Sequence, residues 1–248
     1  ESVIQELIWI TGPLMVGVVI AVGSPSAALL ICAGLTLAGT ALFVSMPASR
    51  ARPPMARRTG SGGLRALPEL RALLMPIALM GLAIGATEVG LPSLALHAGS
   101  RASTGLLLAM WSVGSMLGGL LHGSRDWRLG LAERYQRLLA GAVLCAAPLV
   151  FAHSIPFGLV GALLTGLAIA PVFSCQYALV GRVVHDGAET EAFTWMSSAL
   201  VAGIAAGSAL GGALIGAGGV SAPFMVSCGA LAVAALTSVR ARRLSAVA

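Results

Sequence analysis

The sequence predicts an all-α integral membrane protein with about eight transmembrane helices, the last six forming a 3+3 inverted repeat. Three observations carry that expectation. The 248 residues are 57% hydrophobic and only 10% charged, with a mean hydropathy of +0.93, whereas a soluble domain carries about 25% charged residues. The basic residues, every one of them Arg, collect in alternate connections between apolar runs. A glycine-rich string, GSMLGGLLHG at residues 114–123, returns as GSALGGALIG at 207–216 with seven of ten positions identical.

A bilayer core of about 30 Å takes about 20 apolar residues at 1.5 Å rise per residue. Cutting at polar and Pro/Gly clusters gives segments at 3–22, 26–46, 72–96, 104–122, 138–153, 155–180, 193–216 and 220–239. The first run follows Glu1 rather than Met, contains Glu6 and lacks a basic n-region, so it does not read as a signal peptide. More sequence is expected upstream. The fifth segment is short and holds Pro148. Residues 47–71 form the one long polar connection, with Pro53, Pro54 and the Gly60–Gly63 run opposing a packed domain. Within it Leu64, Leu67 and Leu70, with Arg65 and Arg71, have the spacing of a short interfacial helix. The expected organisation is therefore 1–46 as the last two helices of an incomplete N-terminal bundle, 47–71 as a cytoplasmic Arg-rich linker, and 72–248 as a six-helix bundle with a basic tail.

Basic loops are retained on the cytoplasmic side of a membrane. Arg50, Arg52, Arg57, Arg58, Arg65 and Arg71 flank the second connection, and Arg125, Arg128, Arg134 and Arg137 the fourth. Arg182 lies in the sixth, and Arg240, Arg242 and Arg243 in the tail, leaving Arg101 alone on the other side. Eight crossings with both ends cytoplasmic satisfy this sorting, which points to a multi-pass protein of the cell membrane, expected to be bacterial. A net charge of +6 and a pI near 10.1 follow from these loops. Outside the fourth connection, where Trp127 and Tyr135 stand, no aromatic residues are interleaved with them as a nucleic-acid surface would require, so the partner they imply is the lipid bilayer.

In each copy of the repeated string, glycines recur four apart: Gly114/Gly118 and Gly119/Gly123, then Gly207/Gly211 and Gly212/Gly216. Residues four apart share a helix face, and glycines there let another backbone approach closely. Gly/Ala-rich low complexity is the competing account. The copies fall in the second and fifth of the last six segments, equivalent places in two groups of three. Three crossings invert the next three, so one copy is expected upside down relative to the other, as in secondary transporters. These helices and the one carrying Gly12 and Pro13 are expected to line a seam between bundles, where small residues permit rocking.

Six helices after a long basic loop, preceded by two more, resemble the major facilitator superfamily lacking the first four of its twelve helices. Two strings support the resemblance. ITGPLMVG at residues 10–17 is similar to the Gly-Pro-x-x-Gly-Gly ending of the fifth-helix motif of drug/proton antiporters, with Val16 in place of one glycine. GLLHGSRDWR at 119–128 resembles the family's Gly-x-x-x-Asp-Arg-x-Gly-Arg loop, with Gly123 at the Asp position, Ser124 at the Arg position, and Arg125 and Arg128 nearby. The charge-relay role of that Asp is not carried over. A gate contact by Arg125 or Arg128 stands beside simple retention of positive charge. The resemblance implies a secondary active transporter, proton-coupled and exporting small organic molecules by alternating access, with the missing upstream helices part of the same protein. A non-transporting membrane fragment or scaffold is the alternative.

Two carboxylates fall inside apolar segments, Glu6 and Glu88, where an ionised side chain costs on the order of 2.5–3.5 kcal/mol or more. Both are candidates for proton or substrate coupling, with structural hydrogen bonding as the plainer account. Glu88 lies about 24 Å from the cytoplasmic end of its helix. Gln5, Thr11, Trp111, Gln176, Tyr177, Thr194 and Trp195 are the other helix residues able to line a substrate cavity, which mixes apolar walls with a few polar groups. Helix packing explains each singly. Cys32, Cys145, Cys175 and Cys228 sit alone in apolar runs and read as small buried hydrophobes. His97, His122, His153 and His185 lack metal-ligand spacing. With no GxSxG, CxxC or phosphate-loop string, no cofactor, metal or enzymatic activity is expected.

Overall fold

A computed structural model of the chain describes residues 11, 12, 15, 16, 19, 23–47, 68–101, 103–184 and 188–245. Its helices are α1 (Pro25–Ser45), α2 (Pro68–His97), α3 (Ser103–Gly123), α4 (Leu131–Val150), α5 (Ile155–Leu167), α6 (Ile169–Val183), α7 (Glu189–Gly218) and α8 (Ser221–Ser245). The described residues contain no strand. Six helical spans are long and apolar enough to cross a bilayer: Ser26–Ser45, Glu69–His97, Ser103–Gly123, Ile155–Val183, Glu189–Gly218 and Ser221–Val239. The protein is an all-α membrane protein.

The helix ends follow from local chemistry. Ser24 caps α1 by accepting from the Ala27 amide at 3.1 Å, with Pro25 in the first turn, where a missing N–H costs nothing. Inside the helices, hydroxyls donate to their own backbone. Thr36 bonds the Cys32 carbonyl, Thr40 that of Thr36 and Thr87 that of Ala83, each at 2.8 Å. No polar side chain among these need then seek water. Gly99, at φ +74°, and Gly219, at φ +68°, take the left-handed conformation that ends α2 and α7. The Ser100 amide reaches back to the Ala95 carbonyl and the Gly219 amide to that of Ile215, both at 3.0 Å. These tight turns send α3 back along α2 and α8 back along α7.

Several boundaries differ from the sequence reading. α2 begins at Pro68, so the last residues assigned to the linker already belong to the bundle. Leu70 is buried in its core, while Leu64 and Leu67 lie outside the described residues. The sixth segment is two helices meeting at Ala168, because Pro171 has no N–H and its ring crowds the carbonyl four residues back, that of Leu167. α4 begins seven residues before the expected 138, and its first turns carry Glu133, Arg134 and Arg137. It is the bundle helix outside the six apolar spans. The segment at 3–22 lies mostly outside the described residues. Among the described helices α1 packs extensively on none of the others, and Leu29 and Leu37 are 72% and 73% exposed.

Two glycine-mediated pairings organise the bundle. Along α2 and α7, Gly203 faces the backbone of Ala78, Gly207 that of Leu82 and Gly211 that of Ala86, while Gly81 and Gly85 face the carbonyls of Leu200 and Ile204. Residue numbers rise together on both helices, so the pair is parallel. Along α3 and α5, Gly114 faces the carbonyl of Leu163, Gly118 that of Leu167 and Gly166 that of Trp111, again in parallel. The two sets are one set repeated. Gly114 and Gly207, Trp111 and Ile204, and Gly118 and Gly211 are each 93 residues apart; Leu82 and Leu163, Gly85 and Gly166, and Ala86 and Leu167 are each 81 apart. In each pairing one helix comes from the first group of three and one from the second. Since α3 runs against α2, and α7 runs with α2, the two copies of the string cross in opposite directions, as an inverted repeat requires.

Only one stripe of each string is closed in this way. A Cβ at Gly119 would lie 3.1 Å from the Ala170 methyl, and one at Gly123, Gly212 or Gly216 would meet nothing within 4 Å. Replacing Gly207 or Gly114 by Ala drives a methyl into a facing carbonyl, and such overpacking costs about 1–3 kcal/mol. We predict that G207A and G114A lower the stability of the purified protein by that amount in a sodium dodecyl sulfate unfolding titration. G212A and G123A are expected to stay within about 0.5 kcal/mol of the parent, as substitutions at open positions do.

Candidate functional site

The sequence candidates divide between the bundle interior and its surface. Glu88 lies on α2, half-buried, one residue past Thr87, and no hydrogen bond or ion pair to it forms among the described residues. Among those residues it is the one carboxylate in the middle of an apolar span; Glu69, Asp126, Glu133, Glu189 and Glu191 lie at helix ends or in a connection. Glu6, Gln5 and Pro13 lie outside the described residues. Thr11 and Gly12 are exposed.

Among the described residues, those expected to line a substrate cavity face different surroundings. Gln176, 1% exposed, points into the core, where its Nε2 donates to the Tyr135 hydroxyl at 3.0 Å. Tyr177 is the next residue, about 100° around the helix. It is 42% exposed and stacks on Phe193 with ring centroids 6.0 Å apart. Thr194 is exposed and donates to the Thr190 carbonyl at 2.6 Å, and Trp195 is 42% exposed. Trp111 faces the interior, with its indole nitrogen buried.

What the interior does bring together is a set of polar side chains contributed by different helices. Thr87 of α2 and Ser227 of α8 meet at 3.0 Å. Thr165 of α5 donates within 2.8 Å of the Gly161 carbonyl and lies 3.2 Å from that of Cys145 on α4. Tyr135 of α4 meets Gln176 of α6. Each is a pair of groups whose alternative in lipid is an unmade hydrogen bond, which makes the pairing specific to one helix arrangement.

A second polar cluster sits where α3 ends. The Trp127 indole donates to the His122 carbonyl at 2.9 Å, satisfying an acceptor that the helix terminus leaves free. Its ring lies 4.8 Å from the His122 ring. The guanidinium carbon of Arg134 lies 5.6 Å from the Trp127 ring centroid and that of Arg125 lies 5.9 Å from it. Both are within cation–π range. On the inner side His122 Nε2 is 3.9 Å from the Cys175 sulfur. The connection after α3 is thus folded onto its own helix. Arg125 and Arg128 are both exposed, Arg125 over the Trp127 ring. Arg137 pairs with Glu133 at 2.7 Å.

The sequence alone presents His122 as a histidine without metal-ligand spacing and Cys175 as a small buried hydrophobe. A signal for more is present. His122 is one of three places where the two strings differ, standing where the second copy has Ile215, and a polar residue in one copy of an apolar repeat marks a contact the other copy lacks. Cys175 and His122 are buried, while Cys32 is exposed on α1 rather than buried.

The Tyr135–Gln176 pair gives a test of the interior. Removing the hydroxyl leaves the Gln176 amide buried without its partner, which costs about 1–3 kcal/mol, whereas replacing both groups by apolar side chains is close to neutral. Y135F is therefore expected to destabilise the folded bundle by that amount in a chemical unfolding titration, and Y135F/Q176L to recover most of the loss. Comparison of the chain with protein-family models, curated proteins and solved structures finds no match in any of the three.

Proposed function

We propose that the protein is a secondary active transporter that exports small organic molecules in exchange for protons by alternating access. The observation that carries the proposal is the repeated pair of parallel, glycine-lined helix contacts, α2 with α7 and α3 with α5. Backbones that meet through glycines are not locked by interdigitated side chains, so such pairs can tilt while staying in contact. Two inverted halves give a transporter two related conformations, open to either side. The resemblance of the eight-segment pattern and its long basic loop to the major facilitator superfamily points the same way. Glu88 is the coupling residue in this reading, as a mid-span carboxylate with no partner among the described residues. Such a group can take up a proton on one side and release it on the other.

Reconstituted into liposomes with an imposed pH gradient, the full-length protein should move a lipophilic cation such as ethidium against the proton flow. Glu88→Gln should abolish gradient-driven movement while leaving exchange of ethidium at equal pH intact. Undiminished coupling in the variant would remove Glu88 from the mechanism, and the absence of any driven flux in the parent protein, tested across cationic, neutral and anionic probes, would sink transport itself.

The orientation belongs to the same proposal, with the arginine-bearing connections in the cytoplasm of a cell. In intact cells, a cysteine introduced by Ser100→Cys, in the turn after α2, should react with a membrane-impermeant maleimide. One introduced by Ser124→Cys, in the connection after α3, should react only after permeabilisation. The reverse pattern would turn the topology over.

A further inference from the structure

At the centre of the bundle lies a cavity of about 20 Å³, walled by residues of α2, α3, α4, α5, α6 and α8 beside the break at Ala168. Its apolar wall includes Met80, and its polar lining is Thr87, Trp111, Thr165 and Ser227. The indole N–H of Trp111 is buried and finds no acceptor among the described residues. Leaving such a donor unmade costs about 1–3 kcal/mol.

The hydroxyl protons of Thr165 and Thr87 are committed. Thr165 has one proton and two carbonyls in range, those of Gly161 at 2.8 Å and Cys145 at 3.2 Å. Thr87 likewise has one proton and two acceptors in range, the Ala83 carbonyl at 2.8 Å and Ser227 Oγ at 3.0 Å. The lining therefore offers the Trp111 N–H and the Ser227 hydroxyl as donors, together with the unused lone pairs of hydroxyl oxygens. Its occupant must bring a lone pair for Trp111 and protons for the hydroxyls. A metal cation fails the first requirement, since the N–H repels it. The volume exceeds the roughly 10–15 Å³ that one water needs.

We propose that this cavity is a binding site for a single structural water, which accepts from Trp111 and donates to the hydroxyl oxygens of the lining, Ser227 and Thr165 foremost. The water joins the helices of the first group of three to those of the second at the break between α5 and α6. It completes a hydrogen-bond network of which Thr87–Ser227 and Thr165–Cys145 are the protein-only parts.

Hydroxyl radicals generated by X-ray radiolysis from a water held inside the core attack the side chain beside it. The bundle supplies its own control: Met80, 2% exposed, lines the cavity, and Met196, 1% exposed, lies in the core away from it. In the full-length protein, Met80 should be oxidised several-fold faster than Met196. Trp111→Phe, which keeps the ring and removes the donor, should bring Met80 down to the rate of Met196. Equal slow labelling of the two methionines in the parent protein overturns the proposal regardless of how the variant folds. A Met80 rate unchanged by W111F overturns the assignment of Trp111 as the water's donor.

Discussion

Helices in a bilayer cannot associate by hiding apolar side chains from water, because lipid is as apolar as leucine. Close backbone approach and hydrogen bonds between helices must do that work, and the rest of this structure depends on the first of these. Gly203, Gly207, Gly81 and Gly85 let α2 and α7 approach until glycine meets carbonyl, and Gly114, Gly118 and Gly166 do the same for α3 and α5. Both pairings cross between the two groups of three helices. Neither group makes its main glycine contact within itself, so the unit that packs is the pair of repeats.

The second element, interior polarity, is arranged around those contacts. Thr87 follows Gly85 by two residues and turns inward to Ser227; Thr165 precedes Gly166 and turns to α4. Glycine-lined and polar faces thus alternate around α2 and α5, one giving proximity and the other register. At the end of α3 the symmetry is broken by His122 and the Trp127 indole that caps its carbonyl, flanked by Arg125 and Arg134. The equivalent region of α7 runs on to the tight turn at Gly219 instead.

Much of this architecture is legible in the sequence, because a membrane restricts what an apolar run can be. The helical spans after the linker, the repeat and its inversion follow from hydropathy, glycine spacing and arginine sorting. The partners of the glycines do not follow: four-residue spacing identifies a packing face without saying which helix meets it, and here the open stripe (Gly123, Gly212, Gly216) has the same spacing as the closed one. Helix ends escape hydropathy where charge and helix coexist, as at Leu131 to Arg137, since a polar turn at the membrane edge looks like a loop by that measure alone. Gln176 is buried while Tyr177 is exposed because neighbours in sequence point about 100° apart on a helix. Trp111 shares its interior surroundings with Thr165 and Ser227, which are distant in sequence.

The parallel pairing of α2 with α7 also governs how the bundle can be made. Ala86 and its partner Gly211 are separated by 125 residues of chain, and at about 5–20 residues per second a ribosome needs roughly 6–25 seconds to supply the second after the first. During that interval α2 resides in the bilayer with Gly81 and Gly85 facing whatever is nearest. The helices that pack most extensively on it, α7 and α8, follow every other helix of the bundle in the chain. Closure of the first helix of the bundle therefore waits for α7 and α8, and a chain interrupted before Glu189 carries an inserted α2 with its closest contact unmade.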